Sequence, residues 1–113
     1  MANLLKNITK TGSATAQNNP LSIYTVGTGK TTIVIGFNIC NITTSTDISV
    51  IVEIDAAGAE DDIKLVKDLP IPTGASIEIM SGNKMILNAG DELKITSDTA
   101  NSVDVLLSIV EQS

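Results

Sequence analysis

From residue 20 onward the chain repeats one unit, a short run in which apolar and polar residues alternate, followed by a turn. Alternation with a period of two marks an extended strand with one buried face. The longest run is 31–42, where Ile33, Ile35, Phe37 and Ile39 share one face and Thr32, Val34, Gly36 and Asn38 the other. Residues 47–55 alternate with Ile48, Val50, Val52 and Ile54 inward, and 103–110 with Val103, Val105, Leu107 and Ile109 inward. Shorter runs lie at 22–26, 63–69, 76–80 (Ile77 and Ile79 inward), 84–87 and 92–96 (Leu93 and Ile95 inward). Turn signals separate the runs at Gly27-Thr28-Gly29, 43–46, 56–60, Ser81-Gly82-Asn83, Asn88-Ala89-Gly90-Asp91 and 98–102. Pro70 and Pro72 remove ladder donors, so 70–74 is expected to cross between sheets rather than lie inside one. About eight or nine short strands, with turns roughly every ten residues and no helical period, predict an all-β fold. The expected form is an antiparallel β-sandwich, jelly-roll-like.

The core must be aliphatic, because the 113 residues include only two aromatics, Tyr24 and Phe37. Ile and Val suit it, since β-branched side chains are stiff and fit a pleated surface. Cys40 is alone and there is no Trp, which excludes the disulfide-bonded immunoglobulin pattern and any intrachain disulfide.

The first 19 residues read differently. Leu4, Leu5 and Ile8 are followed by a polar stretch, 11–19, rich in Thr, Ala, Ser, Asn and Gln. The chain is therefore divided into an N-terminal arm, 1–19, and a sandwich domain, 20–113. The arm has the layout of a segment that adds a strand to a neighbour's sheet edge, the alternative being a first strand within its own domain. Some strands also carry apolar residues on both faces. Val34 opposes Ile33 and Ile35, Ile51 opposes Val50 and Val52, and Leu106 and Val110 oppose Val105 and Ile109. Apolar residues left outside a core mark interfaces. The candidate interface is thus Leu4, Leu5, Ile8, Val34, Ile51, Leu106 and Val110, in a homo-oligomer expected to be a trimer.

Charge narrows the partners. The net charge is −6, with no Arg and no His. An acidic surface repels phosphate, and without Arg there is no bidentate fork for it, so nucleic acid is not an expected partner. No run approaches the ~20 apolar residues of a membrane-spanning helix, and residues 1–6 lack a signal-peptide core. Synthesis in the cytosol is expected, with no membrane partner.

The motifs that carry chemistry fail on inspection. Gly27-Thr28-Gly29-Lys30-Thr31-Thr32 resembles the end of a phosphate-binding loop, but the required first Gly falls on Tyr24. Thr31-Thr32-Ile33-Val34-Ile35 then favours a strand, where such a loop must open a helix. A turn with Lys30 in solvent is expected instead. Glu60-Asp61-Asp62 matches no calcium-loop spacing, and Asp91 and Glu92 sit beside a tight turn. Without His, the common triads are impossible within the chain. Cys40 has no Lys within three residues to lower its pKa. Asn7-Ile8-Thr9 and Asn41-Ile42-Thr43 match the glycosylation pattern, expected here to be chance. No catalytic residue, cofactor or metal site is assigned, and an enzyme is not expected.

Four segments resemble short structural proteins of tailed bacteriophages, especially marine and cyanobacterial ones. They are Tyr24-Thr25-Val26-Gly27-Thr28-Gly29-Lys30-Thr31, Leu65-Val66-Lys67-Asp68-Leu69-Pro70-Ile71-Pro72-Thr73-Gly74-Ala75-Ser76, Leu87-Asn88-Ala89-Gly90-Asp91-Glu92-Leu93-Lys94-Ile95 and Val103-Asp104-Val105-Leu106-Leu107-Ser108. The resemblance spans about residues 21–111. Where that family often has Pro-Ala-Gly-Lys, this chain has Gly27-Thr28-Gly29-Lys30, which leaves the turn intact. These are strand-and-turn motifs with no catalytic residues to carry over. The resemblance implies a virion protein, first a capsid decoration or cement protein that contacts the major capsid protein or another virion protein. A neck, tail or fibre-base component is the alternative within the class. A host-surface or glycan-binding adhesin is the alternative outside it, weakened by the shortage of aromatics for sugar stacking.

Overall fold

The structure, a computed structural model, describes residues 3–12, 16–56, 62–80 and 84–113. These contain nine strands and no α-helix. The strands are β1 (Asn3–Lys10), β2 (Leu21–Thr25), β3 (Thr31–Asn41), β4 (Ile48–Asp55), β5 (Ile63–Ile71), β6 (Ser76–Glu78), β7 (Met85–Leu87), β8 (Glu92–Ser97) and β9 (Val103–Gln112). Their antiparallel pairs form a nested series: β4 with β5, β3 with β6 and β7, β2 with β8, and β1 with β9. The chain is thus one long hairpin with its tip between β4 and β5. Two further pairings, β3 with β9 and β4 with β8, roll that hairpin into two sheets. The first sheet runs β1-β9-β3, with β6 and β7 sharing its far edge; the second runs β2-β8-β4-β5. This is the strand order of a jelly roll, as expected.

The core fills the space between the sheets. Val34, Phe37, Ile39, Leu107 and Ile109 of the first sheet meet Val50, Val52, Leu93 and Ile95 of the second, none more than 1% exposed. Each such side chain contributes about 1.5–3 kcal/mol on leaving water. The inward sets expected for β4, β8 and β9 are the ones buried.

β3 departs from its expected pattern. Val34 pairs with Ile109 and Gly36 with Ser108, so Ile35 has no partner in the β9 ladder. This bulge reverses the facing of the strand. Ahead of it Thr32 and Val34 point inward; after it Phe37, Ile39 and Asn41 do. Ile33 and Ile35 therefore lie on the outside, and Val34, expected to face outward, is a core residue. Strict alternation assumes an unbroken ladder, and the extra residue breaks it.

The division of the chain at residue 20 is also corrected. β1 pairs with β9 residue by residue, from Asn3↔Gln112 to Lys10↔Val105. It is the outermost strand of its own sheet, and Ile8 packs against the core. The chain then crosses to the second sheet, where the Asn18 amide donates to the Ser97 carbonyl at 2.8 Å. The crossing expected at 70–74 begins later. Pro70 lies within β5, an edge strand, where a missing donor toward solvent costs nothing. Pro72 to Ala75 then makes the turn into the first sheet, with the Ala75 amide bonded to the Pro72 carbonyl and Gly74 at φ +74°. The turn expected at 56–60 (beyond Ala56), the turn Ser81-Gly82-Asn83, and residues Glu60 and Asp61 lie outside the described residues.

Candidate functional site

The outer face of the first sheet follows from its registers. Leu5 opposes Val110, Val110 opposes Ile33, and Ile33 opposes Ile86, which forms one apolar row across β1, β9, β3 and β7. Leu5 is 73% exposed and Ile86 64%, while Val110 and Ile33 are half-buried between them. The bulge pushes Ile35, 41% exposed, out beside this row. The next rows are Asn7–Ser108–Gly36 and Thr9–Leu106–Asn38–Glu78. Beside the small residue Ser108 lies a trough of about 260 Å³ lined by Leu5, Lys6, Asn7, Ile35, Ser108 and Ile109, with the Lys6 ammonium itself held by Glu111 at 2.9 Å. Charge is confined to the rim. Glu78 accepts from the Phe37 amide at 2.8 Å, Asp104 accepts from the Gly12 amide at 2.7 Å, and Lys84 precedes β7.

The outer face of the second sheet has the opposite character. Lys64 pairs with Glu53 at 3.3 Å, and Lys94 lies 3.0 Å from Asp62 and 3.7 Å from Asp55. The bond to Asp62 raises the Lys94 pKa, and the same bond lowers that of Asp62. Ile51 sits half-buried among these charges, opposite Thr96.

At one end of the sandwich a carboxylate is drawn out of water. Glu111 on β9 is 6% exposed. Its Oε2 accepts from the Tyr24 hydroxyl of β2, which also bonds Thr32 Oγ1 of β3 at 2.8 Å. Its Oε1 lies 2.9 Å from Lys6 Nζ of β1 and 3.8 Å from Lys30 Nζ. The Tyr24 bond, then the Lys6 bond, hold the Glu111 carboxyl below the usual range against the opposing effect of burial. Burial, followed by the bond to Glu111, pushes the Tyr24 phenol up. This cluster ties four strands from both sheets.

Of the interface residues expected from sequence, the fold brings Leu5, Leu106 and Val110 onto one face. Ile51 lies on the opposite side of the molecule. Val34 and Ile8 face or touch the core, and Leu4, 51% exposed, is on the other face of β1, opposite Glu111. Sequence reasoning missed Ile33, Ile35 and Ile86. Ile86 was legible from Met85-Ile86-Leu87, where alternation sets it apart from its neighbours; the other two needed the bulge.

The remaining motifs resolve simply. Gly29 adopts φ +76° in the β2–β3 turn, and β3 follows at once, so the segment opens no helix. Lys30 is drawn toward Glu111 rather than left wholly in solvent. Asn41 is 1% exposed, so its glycosylation would require unfolding. Cys40 is half-buried on the outer face of β3. Among the described residues no group of three His, Cys, Asp or Glu is placed to hold a metal ion.

No protein-family profile matches the chain, and no curated protein matches it. A solved structure is similar in fold: a chain from a study of Bacillus endospore appendages, described as a novel family of disulfide-linked pili. The likeness covers 99% of this chain and 87% of that one, at a TM-score of 0.56 and 13% identity. At that identity it speaks for the β fold alone.

Proposed function

We propose that this chain is a structural subunit that works by assembly, and specifically a decoration or cement protein on the head of a tailed phage. The observation that carries the reading is the exposed apolar row Leu5–Val110–Ile33–Ile86 on a sheet face whose charged side chains lie at its rim. A face of that kind gains from being covered and has no chemistry of its own. The sequence resemblance supplies the virion, and the major capsid protein or another virion protein is the natural neighbour. Antibody labelling of purified particles tests it. Gold spread over the heads is expected. Label confined to the neck or tail would favour the alternative virion position, and unlabelled particles would sink the virion reading.

A pilus-type appendage subunit is the second reading, favoured by the whole-length likeness to the endospore appendage chain. Label along filaments would select it. The glycan-binding alternative is weaker still here, because the phenol of Tyr24 is committed to Glu111 and Thr32.

A further inference from the structure

We infer that the outer face of the first sheet is covered by the same face of a second copy, across a twofold axis running along the strands between β9 and β3. The inference rests on the reading of this chain as an assembling subunit, and it names the partner of that surface.

Three observations carry it. The first is self-complementarity. A twofold along the strands keeps each cross-strand row in its own layer while exchanging its two ends. The row Leu5–Val110–Ile33–Ile86 therefore meets its own reverse, apolar against apolar along its length. The same operation carries Ile35, on the β3 side of the axis, over Ser108 on the β9 side. There it enters the trough between Leu5, Asn7 and Ile35. Knob and hole thus belong to one surface, as an isologous interface requires.

The second is charge. The chain carries −6 overall, so two copies repel through most of their surface. The second sheet's outer face presents Glu53, Asp55 and Asp62 with their lysine partners. The three rows Asn3–Gln112–Thr31, Leu5–Val110–Ile33–Ile86 and Asn7–Ser108–Gly36 contain no charged residue. Along these three rows two copies can meet without desolvating an ion, and Glu78 and Asp104 stay at the rim.

The third is area. β1, β9 and β3, about 4.8 Å apart and about seven residues long at roughly 3.4 Å each, together with the short β6 and β7 at the far edge, cover about 450 Å² in projection. The pair buries roughly 1,000 Å², and more when side-chain relief is counted, the size at which specific interfaces begin. Two sheets stacked in this way pack as the aligned layers of a larger sandwich. The closed pair takes the place of the trimer expected from the sequence.

Sedimentation equilibrium of the purified full chain decides, with Cys40→Ser present throughout to exclude disulfide exchange. The parent protein should show a monomer–dimer equilibrium. Ile35→Asp, which places a charge in the trough, and Ser108→Trp, which fills it, should each weaken the dimer by more than about a hundredfold. Both sites are on the surface of the monomer, so melting temperatures of dilute samples should match the parent and rule out misfolding. Ile51→Asp, on the opposite sheet, should leave the dimer unchanged. A parent that is monomeric up to millimolar concentration, a stoichiometry other than two, or a dimer broken by Ile51→Asp but not by Ile35→Asp overturns the inference. None of these results touches the particle labelling, so the broader reading stands or falls separately.

Discussion

Tyr24 on β2 donates its phenolic proton to the nearly buried Glu111 on β9, joining the two sheets at one end of the sandwich. Buried carboxylates are costly unless their oxygens are bonded, and this one has the phenol on one oxygen and Lys6 beside the other. Tyr24→Phe keeps the ring and removes the donor. It should cost about 1–3 kcal/mol, because Glu111 keeps its burial and loses its partner. Lys6→Ala should cost less than about 1 kcal/mol, since that side chain is 41% exposed and solvent screens its charge. Urea titrations of the two variants should rank in that order, and the reverse ranking would place the main support of Glu111 on the lysine.

The same pair shapes the response to pH. The Glu111 pKa is lowered in the folded state, first by the Tyr24 bond and then by Lys6. Its contribution is therefore complete above the ordinary Glu value of 4.5 and is lost as pH falls through the folded value. The Tyr24 pKa is raised, so its contribution is complete below 10.0 and is lost as pH rises through the folded value. Asp62 adds to the acid limb through Lys94 from a half-buried site at the sheet surface. Melting curves across pH should show the acid limb flattened by Glu111→Gln and the alkaline limb flattened by Tyr24→Phe. An acid limb identical in Glu111→Gln and parent would show that this carboxylate is not what the limb reports.

The position of the bulge in β3 can be read from two truncations. Val34 is fully buried and Ile35 is 41% exposed, although sequence alternation assigns them the reverse. Val34→Ala should destabilise by about 2 kcal/mol, from two lost methyl groups and the space they leave. Ile35→Ala should change monomer stability by less than about 0.5 kcal/mol. Equal losses, or the larger loss at Ile35, would mean that the ladder runs unbroken.

That contrast shows how the sequence carries this fold. In β4, β8 and β9 the inward set follows directly from alternation, because those strands lie between two neighbours and keep one buried face. β3 has the same alternation, yet one unpaired residue inverts half of it, and no residue type announces a bulge at Ile35. β1 is harder to read for another reason. At the sheet edge it buries little beyond Ile8, so its side chains carry no buried-face pattern and it resembles a free arm. What holds it is the backbone ladder to β9, which leaves no trace in composition. The apolar outer face was half legible. Leu5, Leu106 and Val110 stand out in the sequence, but that they share one surface, with Ile51 on the other, depends on strand order.

β1 belongs to the sandwich, so its removal has a definite consequence. Deleting residues 1–10 takes away eight ladder pairs, the packing of Ile8 and the Lys6 contact of Glu111. Ladder bonds are largely offset by the entropy of ordering the strand, so the net loss comes mainly from Ile8 and Glu111, about 2–4 kcal/mol together. The ten-residue β9 is then left as an open edge, which invites association with other chains. The truncated protein should melt lower than the parent and aggregate on heating. An unchanged melting temperature would return β1 to the status of a detachable arm.

Asn41, at the end of β3, is a buried polar side chain bonded at both ends of its amide group. Its Nδ2 donates to the Thr46 and Ile71 carbonyls at 2.9 and 2.8 Å. Its Oδ1 accepts from the Thr43 amide at 2.9 Å and lies 2.8 Å from the Thr43 hydroxyl, whose one proton is shared between it and the Thr46 carbonyl at 2.6 Å. One amide group thus fixes the β3–β4 turn and binds it to the end of β5, where the chain begins its crossing to the first sheet. Asn41→Ala removes the side-chain donor to the Ile71 carbonyl and one of the two donors to the Thr46 carbonyl, which also faces the Thr43 hydroxyl at 2.6 Å, and should cost about 1–3 kcal/mol. Asn41→Asp is the sharper variant, because it is nearly the same size and turns the donating edge into an accepting one. The new oxygen would face the Thr46 and Ile71 carbonyls, so the aspartate variant should be at least as unstable as the alanine variant at neutral pH. Acid should restore part of the loss, since a protonated carboxyl can donate again to one carbonyl. Urea titrations at neutral and mildly acid pH measure both effects. An aspartate variant as stable as the parent at neutral pH would mean that the turn is held by its backbone and not by this side chain.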